Sequence, residues 1–85
     1  MMTKHSAQLD ALSWKREGYG AWIEPETWVL RNVVGAVYAK VRRDEHAWTW
    51  YTAQATGAGF KNREQAQSMA AGYVRTHPNL PELNR

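Results

Sequence analysis

Cysteine is absent from this 85-residue sequence, which excludes disulfides and thiolate metal sites as supports for the fold. Long apolar runs are absent too, because the longest, Val33–Ala39, is far shorter than the about 20 residues of a membrane-spanning helix. No apolar signal core follows the first methionine, so we expect a cytoplasmic protein. A chain this short forms one domain with a thin core. Its five tryptophans and four tyrosines are the natural source of burial.

Catalytic and metal-binding motifs are also lacking. The three histidines, His5, His46 and His77, have no metal-ligand spacing, and no cysteine can act as a nucleophile. Gly57-Ala58-Gly59 lacks the lysine of a phosphate-binding loop. We interpret it as a sharp turn into a helix, with phosphate binding at the helix N-terminus as the alternative. The sequence therefore predicts a protein that is not an enzyme and has no catalytic residues, metal or cofactor.

One helix is predicted near the C-terminus, over residues 62–77. Asn62 is a favourable N-cap with Gln65 three residues later, and His77-Pro78 ends the helix. Apolar residues recur with helical spacing on one face, at Ala66, Met69, Ala70, Tyr73 and Val74. Residues 78–85 form a tail in which Leu80 and Leu83 either fold back onto the core or stay disordered.

Strands are predicted before the helix, because Trp28–Arg31, Gly35–Arg43 and Ala47–Ala53 are rich in β-branched and aromatic residues. Turns are expected at Asn32–Gly35 and at Asp44-Glu45. The resulting antiparallel registers place Leu30 opposite Val37, Trp28 opposite Ala39, Val41 opposite Trp48, Ala39 opposite Trp50, Lys40 opposite Thr49 and Tyr38 opposite Tyr51.

The alternation of side chains along these strands divides them between two faces. The face expected to receive the helix carries Trp28, Leu30, Val37, Ala39, Val41, Trp48 and Trp50. The opposite face carries Val29, Arg31, Tyr38, Lys40, Arg42, Thr49 and Tyr51. The predicted fold class is α+β, with a three- or four-stranded antiparallel sheet and one C-terminal helix packed on one face.

Residues 1–26 give a weaker pattern. Ser6–Leu12 favours one or two helical turns, and the aromatic residues spaced by Gly18 and Gly20 favour an irregular hairpin that adds an edge strand. The chain is thus divided into an N-terminal segment (1–12), a sheet region (13–55), the helix (62–77) and the tail (78–85).

The face opposite the predicted helix carries the most specific functional signal. From Thr27 to Arg43 every charged residue is basic, and alternation gathers Arg31, Tyr38, Lys40, Arg42 and Tyr51 on this face. Basic side chains neutralise phosphates, and tyrosine stacks on bases or donates hydrogen bonds. Two other interpretations are a solvated or partner-binding surface, and a face covered by the N-terminal segment through Trp14 and Trp22.

Three segments carry a resemblance to known DNA-binding domains: Tyr38–Arg43, Trp48-Thr49-Trp50 and Gly59–Ala66. Their layout resembles the N-terminal arm-binding domain of phage integrases and the plant ethylene-response-factor domain, and it is also similar to small phage and prophage proteins. The resemblance covers about residues 28–75. It implies three antiparallel strands followed by a helix, with DNA bound by the exposed sheet face through Arg31, Lys40 and Arg42.

We therefore predict a non-enzymatic binding protein that contacts nucleic acid through the basic and aromatic sheet face, as an accessory protein of a mobile element. The alternative is a protein–protein interaction module, either a homodimer or a binder of a host protein. In that case Trp14, Trp22, Leu80 and Leu83 are the expected anchors, since tryptophan is favoured at interfaces. No membrane partner is expected.

Overall fold

The computed structural model describes residues 11–18 and 25–83. They form a five-stranded antiparallel sheet, in the order β1-β2-β3-β4-β5, and one helix that packs against β3, β4 and β5. The elements are β1 (Ser13–Gly18), β2 (Thr27–Arg31), β3 (Val37–Asp44), β4 (Ala47–Tyr51), β5 (Thr56–Phe60) and α1 (Arg63–Thr76). The predicted α+β class is confirmed, although the sheet has five strands and not three or four.

The strand β1 adds to the edge of the sheet, as the sequence suggested. Its residue Trp14 lies opposite Leu30, and Arg16 lies opposite Trp28. Cross-strand partners share a face, so Trp14 lies on the helix side and packs against the core. The expectation that Trp14 covers the opposite face is therefore wrong. The predicted turns in Ser6–Leu12 lie almost entirely outside the described residues, as does Trp22.

The predicted β3–β4 pairing is wrong by two residues, but the predicted faces of its paired residues are right. Val41 lies opposite Trp50 and not Trp48, because the hairpin turns at Glu45-His46, one position later than expected. Glu45 takes a positive φ of 53° in this turn. A two-residue shift preserves the alternation of side chains, so the residues paired in this hairpin, Lys40–Asp44 and Ala47–Tyr51, keep their predicted faces.

The β2–β3 pairing has the same offset and also contains a bulge. Trp28 lies opposite Val41 and Leu30 lies opposite Ala39, but Arg31 then lies opposite Val37. The pairing thus skips Tyr38, and strict alternation is lost at this end of the hairpin.

The glycine turn predicted at Gly57–Gly59 is wrong, because these residues belong to β5. The chain reverses earlier, at Thr52–Ala55, where the Thr52 backbone N–H donates to the Ala55 carbonyl (2.8 Å). The Thr52 side-chain oxygen accepts from the Ala55 N–H at 2.9 Å and closes the turn. The alternative, phosphate binding at the helix N-terminus, stays a prediction.

The helix α1 begins where the sequence predicted. The Asn62 side chain accepts the Gln65 backbone N–H at 2.8 Å, which satisfies an amide that has no partner within the helix. The predicted buried stripe needs one correction: Met69 is 52% exposed, whereas Ala71 is buried. Three alanines therefore face the sheet, and their small side chains allow a close approach to its tryptophans.

The core lies between α1 and the sheet. Of the seven residues predicted to face the helix, five are buried in the core cluster and Trp28 is half-buried against it. The seventh, Val37, is buried outside this cluster, and its place on the helix face is corrected by its pairing with Arg31. The tail folds back: Leu80 is buried in the core, and the Leu83 N–H donates to the Val37 carbonyl at 2.8 Å. Of the two alternatives for the tail, the packed one is therefore found over residues 78–83.

Candidate nucleic-acid interface

The sheet face away from α1 carries a row of side chains that crosses all five strands. The pairing aligns this row as Lys15, Val29, Lys40, Tyr51 and Thr56. A second row, on the same face, aligns Thr27, Arg42 and Thr49. We call Lys15, Arg31, Lys40, Arg42 and Tyr51 the basic face.

Tyr51 is the centre of this surface. The Lys40 ammonium lies 5.8 Å from the centroid of the Tyr51 ring, and the Arg42 guanidinium lies 5.5 Å from it. The Arg42 Nη2 also donates to the Tyr51 hydroxyl at 3.1 Å. Both cations are attracted to the electron-rich face of the ring. Two positive charges therefore lie beside one aromatic side chain.

Arg42 is held from a second side by Asp44. Its Nε donates to Asp44 Oδ1 at 3.1 Å, in an ion pair that is about two-fifths exposed on each side. A guanidinium has five N–H donors, so the bonds to Asp44 and Tyr51 orient Arg42 and leave donors for an anion. An exposed ion pair of this kind contributes little to the stability of the fold. We therefore interpret the contact with Asp44 as one that positions the Arg42 side chain.

Arg31 lies at the end of β2, beside the bulge and the turn to β3. It is half-buried, like Lys40, Arg42 and Tyr51. The basic face therefore runs from the β3–β4 end of the sheet towards the β2–β3 turn, with Arg31 nearest to that turn.

Tyr38 does not belong to the open surface that the sequence predicted. Its side chain is 5% exposed, and it is a member of the core cluster that includes Leu30 and Leu80. The bulge explains the difference, because Val37, Tyr38 and Ala39 are three consecutive buried residues where alternation predicts two. The prediction that Tyr38 is available on the surface is therefore wrong.

Lys15 is a residue of this face that the sequence reasoning missed. It is exposed and lies opposite Val29, which in turn lies opposite Lys40, so Lys15 is two strands away from Lys40. The signal was present in the alternation of β1, because an inward Trp14 requires an outward Lys15. The alternation places Lys15 on the basic face only once β2 is known to be the partner strand of β1.

The leading residues that the structure describes extend the sheet and do not lie across the basic face. Residues 13–18 form β1, which is bonded to β2 in the plane of the sheet. Val29 is nevertheless 1% exposed, so this one apolar side chain in the middle of the row is fully covered. Lys15 and Lys40, its neighbours in the row, keep part of their surface in solvent.

A second charged cluster lies on the helix side of the sheet. The Arg63 guanidinium sits 4.3 Å from the Trp28 ring centroid, and the Trp28 Nε1 donates to Glu26 Oε2 at 2.9 Å. The same carboxylate lies 3.8 Å from Arg63 and 4.0 Å from Arg16. These contacts join the start of α1 to β1 and β2, so we interpret this cluster as structural.

Other kinds of site find little support in residues 11–18 and 25–83. No group of three or more histidine, aspartate or glutamate side chains in these ranges could hold a metal ion. Within the same ranges, no helix has the length and apolarity to cross a membrane. The chain matches no family model, no curated protein and no solved structure.

Proposed function

We propose that this protein binds nucleic acid through the basic face. The observation that carries the proposal is the packing of Lys40 and Arg42 around one half-exposed tyrosine ring, on a face that α1 does not cover. Phosphate contacts from lysine and arginine supply most non-specific affinity for nucleic acid, and a neighbouring aromatic ring can stack on a base.

The spacing of the cations suits a phosphate backbone. Lys40 and Arg42 are alternate residues of β3, about 6.6 Å apart along the strand. Lys15 lies two strands from Lys40, about 9.6 Å across the sheet. The first separation is close to that of successive phosphates along one nucleic-acid strand, so one backbone can be contacted at two neighbouring positions.

The alternative of a protein-binding module has fewer anchors than the sequence suggested. Leu80 is 6% exposed and Trp14 packs against the core, so both are already used within the fold. Trp22 lies outside the described residues. The accessory role in a mobile element stays a prediction that rests on the resemblance.

A salt titration tests the proposal. Fluorescence anisotropy with labelled single-stranded and duplex DNA should give an affinity that falls with salt, with a log–log slope of about −3 if three phosphates are neutralised. Lys40→Ala and Arg42→Ala should each reduce the slope by about one.

Arg43→Ala is the matched control for Arg42→Ala. Arg43 is exposed, adjacent in sequence and equal in charge, but it pairs with Trp48 and so lies on the other side of the sheet. Its removal should leave the slope unchanged. The proposal fails if neither DNA binds at low salt, or if Arg42→Ala and Arg43→Ala weaken binding equally.

A further inference from the structure

The most exposed large apolar side chains of the described residues lie next to each other in the β2–β3 turn. Val33 and Val34 are each 83% exposed. Turns normally carry polar residues or glycine, because their side chains face water. Two adjacent branched aliphatic side chains at a turn are therefore a feature that the fold itself does not need.

The turn that carries the two valines is well ordered by hydrogen bonds. The Asn32 side-chain oxygen accepts the N–H groups of Val34 (3.1 Å) and Ala36 (2.9 Å). The Asn32 N–H donates to the Ala36 carbonyl, and the Gly35 N–H donates to the Asn32 carbonyl, both at 3.0 Å. Gly35 takes a φ of +92°, which glycine adopts without strain. The valines are thus presented on a fixed support.

The turn is continuous with the basic face. Arg31 directly precedes Asn32, and the strand that leaves the turn carries Lys40 and Arg42. The apolar tip thus stands at one end of a surface of positive charge. This positive charge is complementary to a polyanion. We therefore take nucleic acid as the partner that the two valines contact.

We infer that Val33 and Val34 form an apolar wedge that inserts between stacked bases of duplex DNA. The inference rests on the proposed function, since the basic face must first hold the phosphates. Architectural proteins insert apolar side chains between base steps in this manner, and the partial unstacking kinks the duplex. The protein would then deform DNA as well as bind it, with a preference for flexible pyrimidine–purine steps.

The test compares wild type with the double variant Val33→Ser and Val34→Ser. One probe is a duplex with 2-aminopurine at a TA step, whose fluorescence rises on unstacking, and the other is a duplex with a donor and an acceptor dye at its ends. We expect wild type to raise the first signal and to shorten the end-to-end distance. The double variant should lose both effects and about tenfold in affinity, equal to about 1.4 kcal/mol, with the salt slope unchanged.

Met69→Ser is the control, since Met69 is an exposed apolar residue on the helix, far from this turn in sequence. It should behave as wild type. If wild type binds DNA but neither signal changes, or if both persist in the double variant, the wedge is wrong and the proposed function stands. If wild type binds no DNA, both proposals fail. Binding of anionic vesicles that the double variant loses would then assign the tip to a membrane surface.

Discussion

A glycine in β5, Gly57, leaves room for a tryptophan in β4, Trp50. Gly57 lies opposite Trp50, and the indole occupies the space where a side chain at position 57 would begin. An added Cβ would lie 2.7 Å from Trp50 Cε2 and closer still to Nε1. Because Trp50 is 7% exposed and packed beneath α1, it has little room to move. The glycine is therefore required by packing and not by a turn.

Gly57→Ala should destabilise the protein by about 1–3 kcal/mol, because the buried indole must shift to admit a methyl group. Gly72→Ala is the same substitution at a position with nothing within 4 Å of the new Cβ. There the change should stabilise the helix by about 0.5–1 kcal/mol, since alanine has the higher helix propensity. Urea unfolding measures both. Equal effects of the two substitutions would contradict the packing argument.

At the scale of an element, both ends of α1 are set by local interactions between residues that can be recognised in the sequence. Its first turn is capped by Asn62, Glu64 lies in the first turn and Arg75 lies in the last, as the helix dipole favours. The His77 N–H donates to the Val74 carbonyl at the other end. The hairpins behave differently, because moving a turn by one residue shifts every pair along the strands.

Asn62→Ala should cost about 1 kcal/mol of stability, because the Gln65 N–H loses its acceptor. Asn62→Asp keeps an acceptor at the same place and adds a negative charge at the helix N-terminus, so it should be neutral or slightly stabilising. Thermal unfolding followed by circular dichroism compares the two. If alanine and aspartate have the same effect, the side chain at position 62 is not acting as a cap.

At the scale of the whole molecule, the two faces of the sheet carry different kinds of side chain. One face buries its side chains under α1, and the other presents the basic face. Trp50 connects the parts of the first face: it lies opposite Val41 and Gly57, and its ring centroid is 5.7 Å from that of Tyr73 on α1. Its Nε1 is buried with no hydrogen-bond partner in the described part of the chain, so packing alone accounts for its position.

Trp50→Ala should cost about 3–5 kcal/mol, a large share of the about 5–15 kcal/mol that stabilises a small domain. Strands and helix should therefore unfold together at a lower denaturant concentration. Trp50→Phe should cost less, because it keeps a ring and removes the unpaired indole N–H. Thr49→Ala, on the other face, should be close to neutral. A Trp50→Ala variant as stable as the parent would show that the core lies elsewhere.

The sequence by itself determined the features that depend on local chemistry and on the period of side chains: the bounds of α1, the α+β class, and the faces of β2, of β4 and of β3 from Ala39 onwards. A pairing error of two residues leaves each side chain on the same face of the sheet. The face that carries Lys40, Arg42 and Tyr51 was therefore predictable from the sequence. The tertiary structure alone decided the exact partners, the bulge that buries Tyr38, the strand at Thr56–Phe60 and the place of Lys15. Each of these depends on contacts between residues far apart in the chain, where packing outweighs local preference.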